Sequence, residues 1–552
     1  MSRTATGSVR RPTTALAGVL LLSAAAACGG GGGAEQGSIE RSDPASLGPQ
    51  GEPVAGGDLT YCLTADANGF SPVNDSWSSV TYTMVGSILE PLAAVAEDGT
   101  VAPYLAASIE PNDDATVWTI TPRQGVQFTN GQALTAEVIA KNLQAQRESP
   151  VNGTILALVA SVQAVDGAVA VTMSEPWVAF PSYLTGPIGR PLSPAQLADP
   201  DAASVAPVGT GPFVLDSYAP DNRLVMVRNP DYWRDGLPYL DEVEFAILPD
   251  SQTREQTLDV GDCDAMTTTS ADHIVKYSAS QEYDVYRPAG PSQSEFTFML
   301  NTVVPPLDDV RVRRALGFAT DRELLIETVG RGLSEPATGP WTRDSQWYCE
   351  TDYPTYDLEA AKALVREYEA ENGPVEISLM SVPVAESLQS AELAQSLWGE
   401  AGIDVKIEQA ELSSLINRAL TGDFNSVIWQ EYGSVEPDGE YYKFHSDFAE
   451  PVGTVSRNPA RIADPELDAG FETGRASLGQ QERAAGYCAV QERLSELMPS
   501  VWVGHSSTAG VIASSTIGGI AGTELPDGQI ALPPNGSPVP SHSLVQTWRQ
   551  AS

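Results

Sequence analysis

Residues 207–248, PVGTGPFVLDSYAPDNRLVMVRNPDYWRDGLPYLDEVEFAIL, decide how the rest of this 552-residue chain is read. Gly209 and Gly211, with Pro212 fixing the exit, mark a tight turn. Alternation through Leu224 to Val227 predicts a strand, which a loop carrying Pro230, Tyr232, Trp233, Gly236 and Pro238 ends. A second strand then places Val243, Phe245 and Ile247 on one face. Taken alone, the stretch is the β-rich part of an α/β domain and displays no chemistry.

Its wording nevertheless resembles solute-binding protein family 5 of the ABC importers, whose members carry a PVGTGPY…RNPDYW…PYLDEI pattern. Two other stretches carry the same resemblance. Residues 101–139, VAPYLAASIEPNDDATVWTITPRQGVQFTNGQALTAEVI, are similar to the family's PxLAxSWE…LRxGVKFxDGxPLTAEDV. They depart from it at Asn112-Asp113-Asp114-Ala115, where a DDG turn is usual, and at Val138, where an acid is usual. Residues 298–325, FMLNTVVPPLDDVRVRRALGFATDRELL, resemble FNTxxPPFxDxRVRQALxxAIDRE. The resemblance implies a two-lobe periplasmic-binding-protein-like α/β fold (type II, cluster C-like) with a hinge. It also implies that the chain's tail returns to the first lobe. Residues 57–295 and 506–552 then form lobe I and residues 296–505 form lobe II.

The N-terminus suggests export. Arg3, Arg10 and Arg11 precede an apolar run, Ala15 to Ala27, that is too short to span a bilayer. Ala25-Ala26-Ala27-Cys28 is the small-residue context of a lipoprotein signal peptidase, so residues 1–27 are expected to be removed and Cys28 lipidated. Residues 29–56 are glycine-rich and polar and read as a slack tether, reaching on the order of 30 Å. The expected location is the extracytoplasmic face of the cell membrane, held there by lipid.

The formal charge is −41; losing residues 1–27 removes three arginines and no acids and leaves about −44. A body so acidic is repelled by nucleic acid and by anionic lipid headgroups, which excludes both as partners. Cys62, Cys263, Cys349 and Cys488 are an even number in an exported chain and allow two disulfides in any of three connectivities.

Local signals place the helices. One is expected from Thr135 to Gln146, stopped by Ser149-Pro150. A second is capped by Asp308, with Val312, Ala315, Leu316 and Ala319 on its apolar face and Arg311, Arg313 and Arg314 splayed toward solvent. From Asp357 onward helices and strands alternate, with strands at Val375–Leu379, Val405–Ile407 and Ser426–Trp429, which predicts a parallel sheet with right-handed crossovers.

In an open α/β sheet ligands sit beyond the carboxyl ends of the strands. Trp429, Gln430, Glu431, Tyr432, Gly433 and Ser434 are therefore the leading ligand-binding candidates, as rings, amides and acids suit a stacked, hydrogen-bonded polar ligand. Phe298 and Asn301 on the hinge strand and Trp341 in a Gly-Pro-Trp loop are further candidates. The peptide-binding members that this chain resembles read W-G-W-x-A-D-Y-P-D-P here and use the aspartate to hold an α-ammonium. Ser434 stands at that place, so Glu431, Glu436 or Asp438 must substitute for it, or the ligand offers no free amine there.

No catalytic constellation is present. Gly504-His505-Ser506-Ser507 lacks the second glycine of a nucleophile elbow, and neither a P-loop nor a GxGxxG occurs. Glu431 and Glu436 could mimic a glycosidase pair, but a chain with this many acids produces such pairs by chance. His273, His445, His505 and His542 are scattered without metal-ligand spacing, so no metal and no cofactor is expected. The expected protein is thus a monomeric binding component rather than an enzyme. It captures oligopeptides or dipeptides by hinge closure and delivers them to ABC permease subunits with their ATPases. The alternatives are the same receptor fold holding an oligosaccharide or a metal chelate, and an exported hydrolase.

Overall fold

The computed structural model describes residues 52–287, 294–431, 435–506, 510–520, 524–532 and 543–550. Cys28, the leader and nearly all of the tether lie outside these residues, as do Tyr432, Gly433, Ser434 and His542.

Residues 207–248 form three strands, Phe213–Ala219, Arg223–Arg228 and Glu242–Ile247, paired antiparallel in that order. Val243, Phe245 and Ile247 are buried on one face, as the alternation requires. The last of the three pairs parallel with Asp58–Leu63. Ala265–Thr268, Gly510–Ser514 and Tyr283–Tyr286 complete a seven-stranded sheet. The two glycines of the opening turn are needed for close approach. A Cβ on Gly209 would lie 1.8 Å from the carbonyl oxygen of Ile88, and one on Gly211 would lie 2.3 Å from that of Ser87. The turn thereby lays its backbone on residues 87–89, with Gly211 N–H donating to Ile88 O over 3.0 Å.

That docking encloses Glu90, a fully buried carboxylate. Thr210 Oγ1, Tyr104 Oη and Trp233 Nε1 each donate to it over 2.9 Å, and Tyr232 Oη donates over 2.5 Å. Four donors offset the desolvation of one acid, so the most legible stretch of the sequence is a structural clamp.

A separate four-stranded antiparallel sheet, in the order Ala106–Pro111, Val117–Pro122, Ala168–Met173 and Val159–Val165, packs against the helix Ala136–Glu148. Thr135 caps that helix through Val138 N–H. At the departure from the family's DDG turn, Ala115 takes a left-handed φ of 55° and is buried. Ala115 accepts this backbone although glycine is the residue that adopts it freely.

The third sheet runs Glu335–Pro336, Ser500–Ser506, Ser294–Leu300, Ser426–Glu431, Glu376–Ser381 and Asp404–Gln409. Only the last three strands are mutually parallel; Ser294–Leu300 is antiparallel to both of its neighbours. The expected parallel strands are therefore present as one half of a mixed sheet, because the segments on either side of the α/β run add antiparallel strands along the Ser426–Glu431 edge. The helices fall where the caps and glycines put them: Leu358–Asn372 behind Asp357, Ala385–Glu400, and Leu412–Thr421 ending at Gly422, whose φ is 80°. Two details differ from expectation. Asp309, not Asp308, caps Val310–Ala319. Arg313 is buried and donates to the carbonyls of Leu307 and Leu497, so only Arg311 of the pair makes surface ion pairs, to Asp309, Glu367 and Glu371. The cysteines pair as Cys62–Cys263 and Cys349–Cys488.

Candidate functional site

A cavity of ≈ 520 Å³ opens between two sets of elements. One wall comes from the seven- and four-stranded sheets: Asp75 to Tyr82, Val151 to Ile155 and Ser182 to Ile188. The other comes from the mixed sheet and its helices: Trp347, Glu431, Glu436, Glu440, Tyr442, Lys443, Arg457 and Arg483. The size lies within the roughly 300–1,000 Å³ of ordinary small-ligand sites.

Beside this cavity the two walls are joined through Asp438, which is fully buried. Arg475 Nε donates to its Oδ1 over 2.7 Å, Trp177 Nε1 to Oδ2 over 2.7 Å, and Tyr183 Oη to Oδ2 over 2.9 Å. The Arg475 guanidinium also lies 3.4 Å from the centre of the Tyr441 ring. Burial would push this guanidinium toward neutrality, but the charge of Asp438 outweighs it and holds Arg475 protonated. With its oxygens committed, Asp438 is unavailable as a ligand anchor in this arrangement.

Glu436 is likewise committed. Arg483 Nη2 donates to it over 2.5 Å and Tyr487 Oη over 3.3 Å, and burial raises its pKa despite the guanidinium. Glu431 accepts from the Trp429 indole over 2.6 Å and pairs with Lys443 at 3.0 Å. Lys443 also pairs with Glu440 at 2.9 Å. Arg457 differs from these groups. It donates to the Val151 carbonyl across the cavity and lies over the Tyr442 ring at 5.8 Å, and it forms no ion pair among the described residues.

Of the sequence candidates, Glu431 reaches the cavity wall. Trp429 sits behind it in the strand and orients its carboxylate, and Gln430 is exposed on the same strand. Phe298, Asn301 and Trp341 are buried and do not line the cavity in this arrangement. Phe298 stacks edge-on against Trp398 in the core, with ring centres 5.0 Å apart. The Asn301 amide donates to the carbonyls of Gly422 and Phe424. Trp341 packs against Tyr487 and is buried. The wall residues that the sequence reading missed, such as Trp77, Tyr183, Trp347 and Arg457, come from loops and short helices far apart in the chain. Only the clustering of Glu436, Glu440 and Lys443 just after the chosen loop offered a signal. Among the described residues the one grouping with metal-ligand proximity is Cys349, Cys488 and Glu492, and its two sulfurs form a disulfide.

Known proteins agree with this architecture. Di/tripeptide-binding protein 2 of Pseudomonas aeruginosa (strain UCBPP-PA14) is 28% identical over 84% of this chain and 91% of its own length. The nickel-binding periplasmic protein of Escherichia coli (strain K12) is 26% identical over 80% of this chain and 89% of its own. A dipeptide binding protein from Pseudoalteromonas sp. SM9913, solved in complex with Met-Leu, superposes with a TM-score of 0.77 at 22% identity and covers 90% of this chain and 100% of its own. Residues 100–449 match the bacterial extracellular solute-binding proteins, family 5 Middle, and the chain belongs to that family.

Proposed function

We propose that this protein is the extracytoplasmic receptor of an ABC importer, which captures dipeptides or oligopeptides and delivers them to a membrane permease. The observation that carries the reading is the ≈ 520 Å³ cavity, walled on both sides by aromatic and charged side chains from separate sheet systems. Rings of Trp77, Tyr183, Trp347 and Tyr442 suit peptide side chains and peptide planes. Arg457, with no carboxylate partner among the described residues, suits a peptide's C-terminal carboxylate. Ligand contacts to both walls favour the closed arrangement, because a ligand shifts such an equilibrium only by binding one state better. Residues 57–295 with 506–552 move against residues 296–505 about the crossing segments. The protein acts by binding without turnover, as a monomer. Lipid on Cys28 supplies the membrane anchor; no helix among the described residues is long and apolar enough to cross a membrane.

Native mass spectrometry of the purified protein tests this directly. A heterogeneous set of peptide masses, and a rise in Tm on adding peptide, are expected. A single glycan or chelate mass would overturn the peptide reading.

A further inference from the structure

Behind the cavity wall lies a charge imbalance. Glu295, Glu431, Glu440 and Lys443 form one cluster, and Glu295 and Glu440 are each only 1% exposed. Lys443 serves Glu431 and Glu440. Glu295 stands opposite Glu431 in the antiparallel register and accepts from the Trp502 indole over 2.9 Å. Three carboxylates thus share one ammonium. Glu295 Oε1 and Glu440 Oε2 are buried with no hydrogen-bond donor, and the neighbouring Thr297 hydroxyl is also unpartnered. A second cavity of ≈ 10 Å³, lined by Glu295, Thr297, Glu431 and Lys443, adjoins them. That is room for about one water molecule.

The other groups around the cluster do not correct the balance. The strand Ser500–Ser506 contributes the Trp502 indole and His505, whose pKa burial lowers to about 4, so it is neutral. Asp438 and Glu436 are taken by Arg475 and Arg483. Tyr442 is neutral, its pKa raised by burial. Arg457 lies over the Tyr442 ring and donates to the Val151 carbonyl, and it forms no ion pair with the cluster among the described residues. Uncompensated buried charge is costly, so the cluster requires further positive charge, from protons or from a cation. Glu431, Glu440 and Lys443 also line the main cavity, where a ligand is within reach of them.

We propose that this glutamate cluster, with Glu440 as its contact on the cavity wall, makes the receptor selective for ligands carrying a cationic side chain, an ammonium or a guanidinium. The inference rests on the peptide-receptor reading and adds charge selectivity to it. Without such a ligand, protons do the neutralising, since burial raises the pKa of both Glu295 and Glu440. A cationic side chain arriving at the cluster displaces a proton.

Three peptides with identical termini separate the possibilities: Ala-Lys, Ala-norleucine and Ala-Glu, measured by isothermal titration in buffers of different ionisation enthalpy. Ala-Lys is expected to bind at least about tenfold more tightly than Ala-norleucine, because a hydrogen bond to a charged group contributes about 1.5–3 kcal/mol. Ala-Glu should bind most weakly, and only Ala-Lys should release protons. Glu440→Gln should bring the Ala-Lys to Ala-norleucine ratio close to one, whatever it does to absolute affinity, and Glu295→Gln should reduce proton release. Equal affinity for all three peptides would overturn charge selectivity and leave the receptor reading intact. Failure of all three to bind would remove the peptide reading and this inference with it.

Discussion

The Trp177 indole donates to Asp438 over 2.7 Å and joins residues 261 positions apart, one on each side of the cavity. With Tyr183 it supplies two of the donors that allow a fully buried carboxylate to persist there. The donors from the other wall and the ion pair with Arg475 are thus separable: if the walls part, the aspartate loses the indole and phenol and keeps its ion pair with Arg475.

Trp177→Phe removes one donor and keeps most of the ring. Peptide affinity should fall by a factor of roughly 5 to 150, corresponding to about 1–3 kcal/mol for an unsatisfied buried acceptor. The Tm of the ligand-free protein should change less than that of the peptide-bound protein. Differential scanning calorimetry with and without peptide checks both. Arg475→Met should cost more, about 3–5 kcal/mol, by leaving Asp438 buried without a counter-charge.

Arg457→Gln tests the carboxylate acceptor. Peptides with a free C-terminus should lose affinity while C-terminally amidated peptides lose little, so the ratio between the two forms is the readout. An unchanged ratio in a titration would show that Arg457 only bridges to Val151.

The stability profile with pH follows from opposing groups. Burial raises the carboxyl pKa of Glu90, Glu295, Glu436 and Glu440. Each binds its proton more tightly folded than unfolded. Its contribution is complete below the unfolded value of about 4.3 and is lost as pH rises through the folded value. Hydrogen bonds from Arg311 and Arg493 lower Asp309 and Asp464, whose contributions hold above about 3.9 and vanish as pH falls through their depressed values. Thermal melts should give a higher Tm at about pH 5.5 than at about pH 8, and a steep fall below about pH 3. Glu440→Gln should flatten the alkaline limb.

Gly209→Ala is expected to fail. Its Cβ would sit 1.8 Å from a backbone oxygen, so the turn must leave residues 87–89 and expose Glu90 to loss of its Thr210 donor. Urea titration should show a loss of more than about 3 kcal/mol, or no soluble protein.

Each disulfide closes a long loop, with sequence separations of 201 and 139. By chain entropy each contributes about 5 kcal/mol. Alanine at Cys62 and Cys263, or at Cys349 and Cys488, should lower the unfolding free energy read from a urea titration by a comparable amount, with little change in peptide affinity.

Much of the fold was legible in local chemistry. Period-2 alternation located Glu242–Ile247, and Thr135, Asp357 and Gly422 marked helix ends, because capping and left-handed backbone are decided by a few adjacent residues. The wording of residues 207–248 identified the family for the same reason: its glycines and aromatics answer to one fixed backbone approach and one buried acid. What the sequence did not contain was strand partnership. The three strands after Asp357 are parallel, as their alternation with helices requires, but the sheet continues past them because Ser294–Leu300, distant in the chain, pairs beside Ser426–Glu431 with opposite polarity. The surroundings of the candidate residues were likewise not in the sequence. Phe298, Asn301 and Trp341 carry chemistry suited to a ligand, yet packing spends it on the core. The groups that do face the cavity become a site only when two sheet systems approach each other. The charge balance at Glu440 shows this most clearly. Sequence counts an acid there, and tertiary structure alone decides that two buried acids and one half-buried acid gather around one lysine.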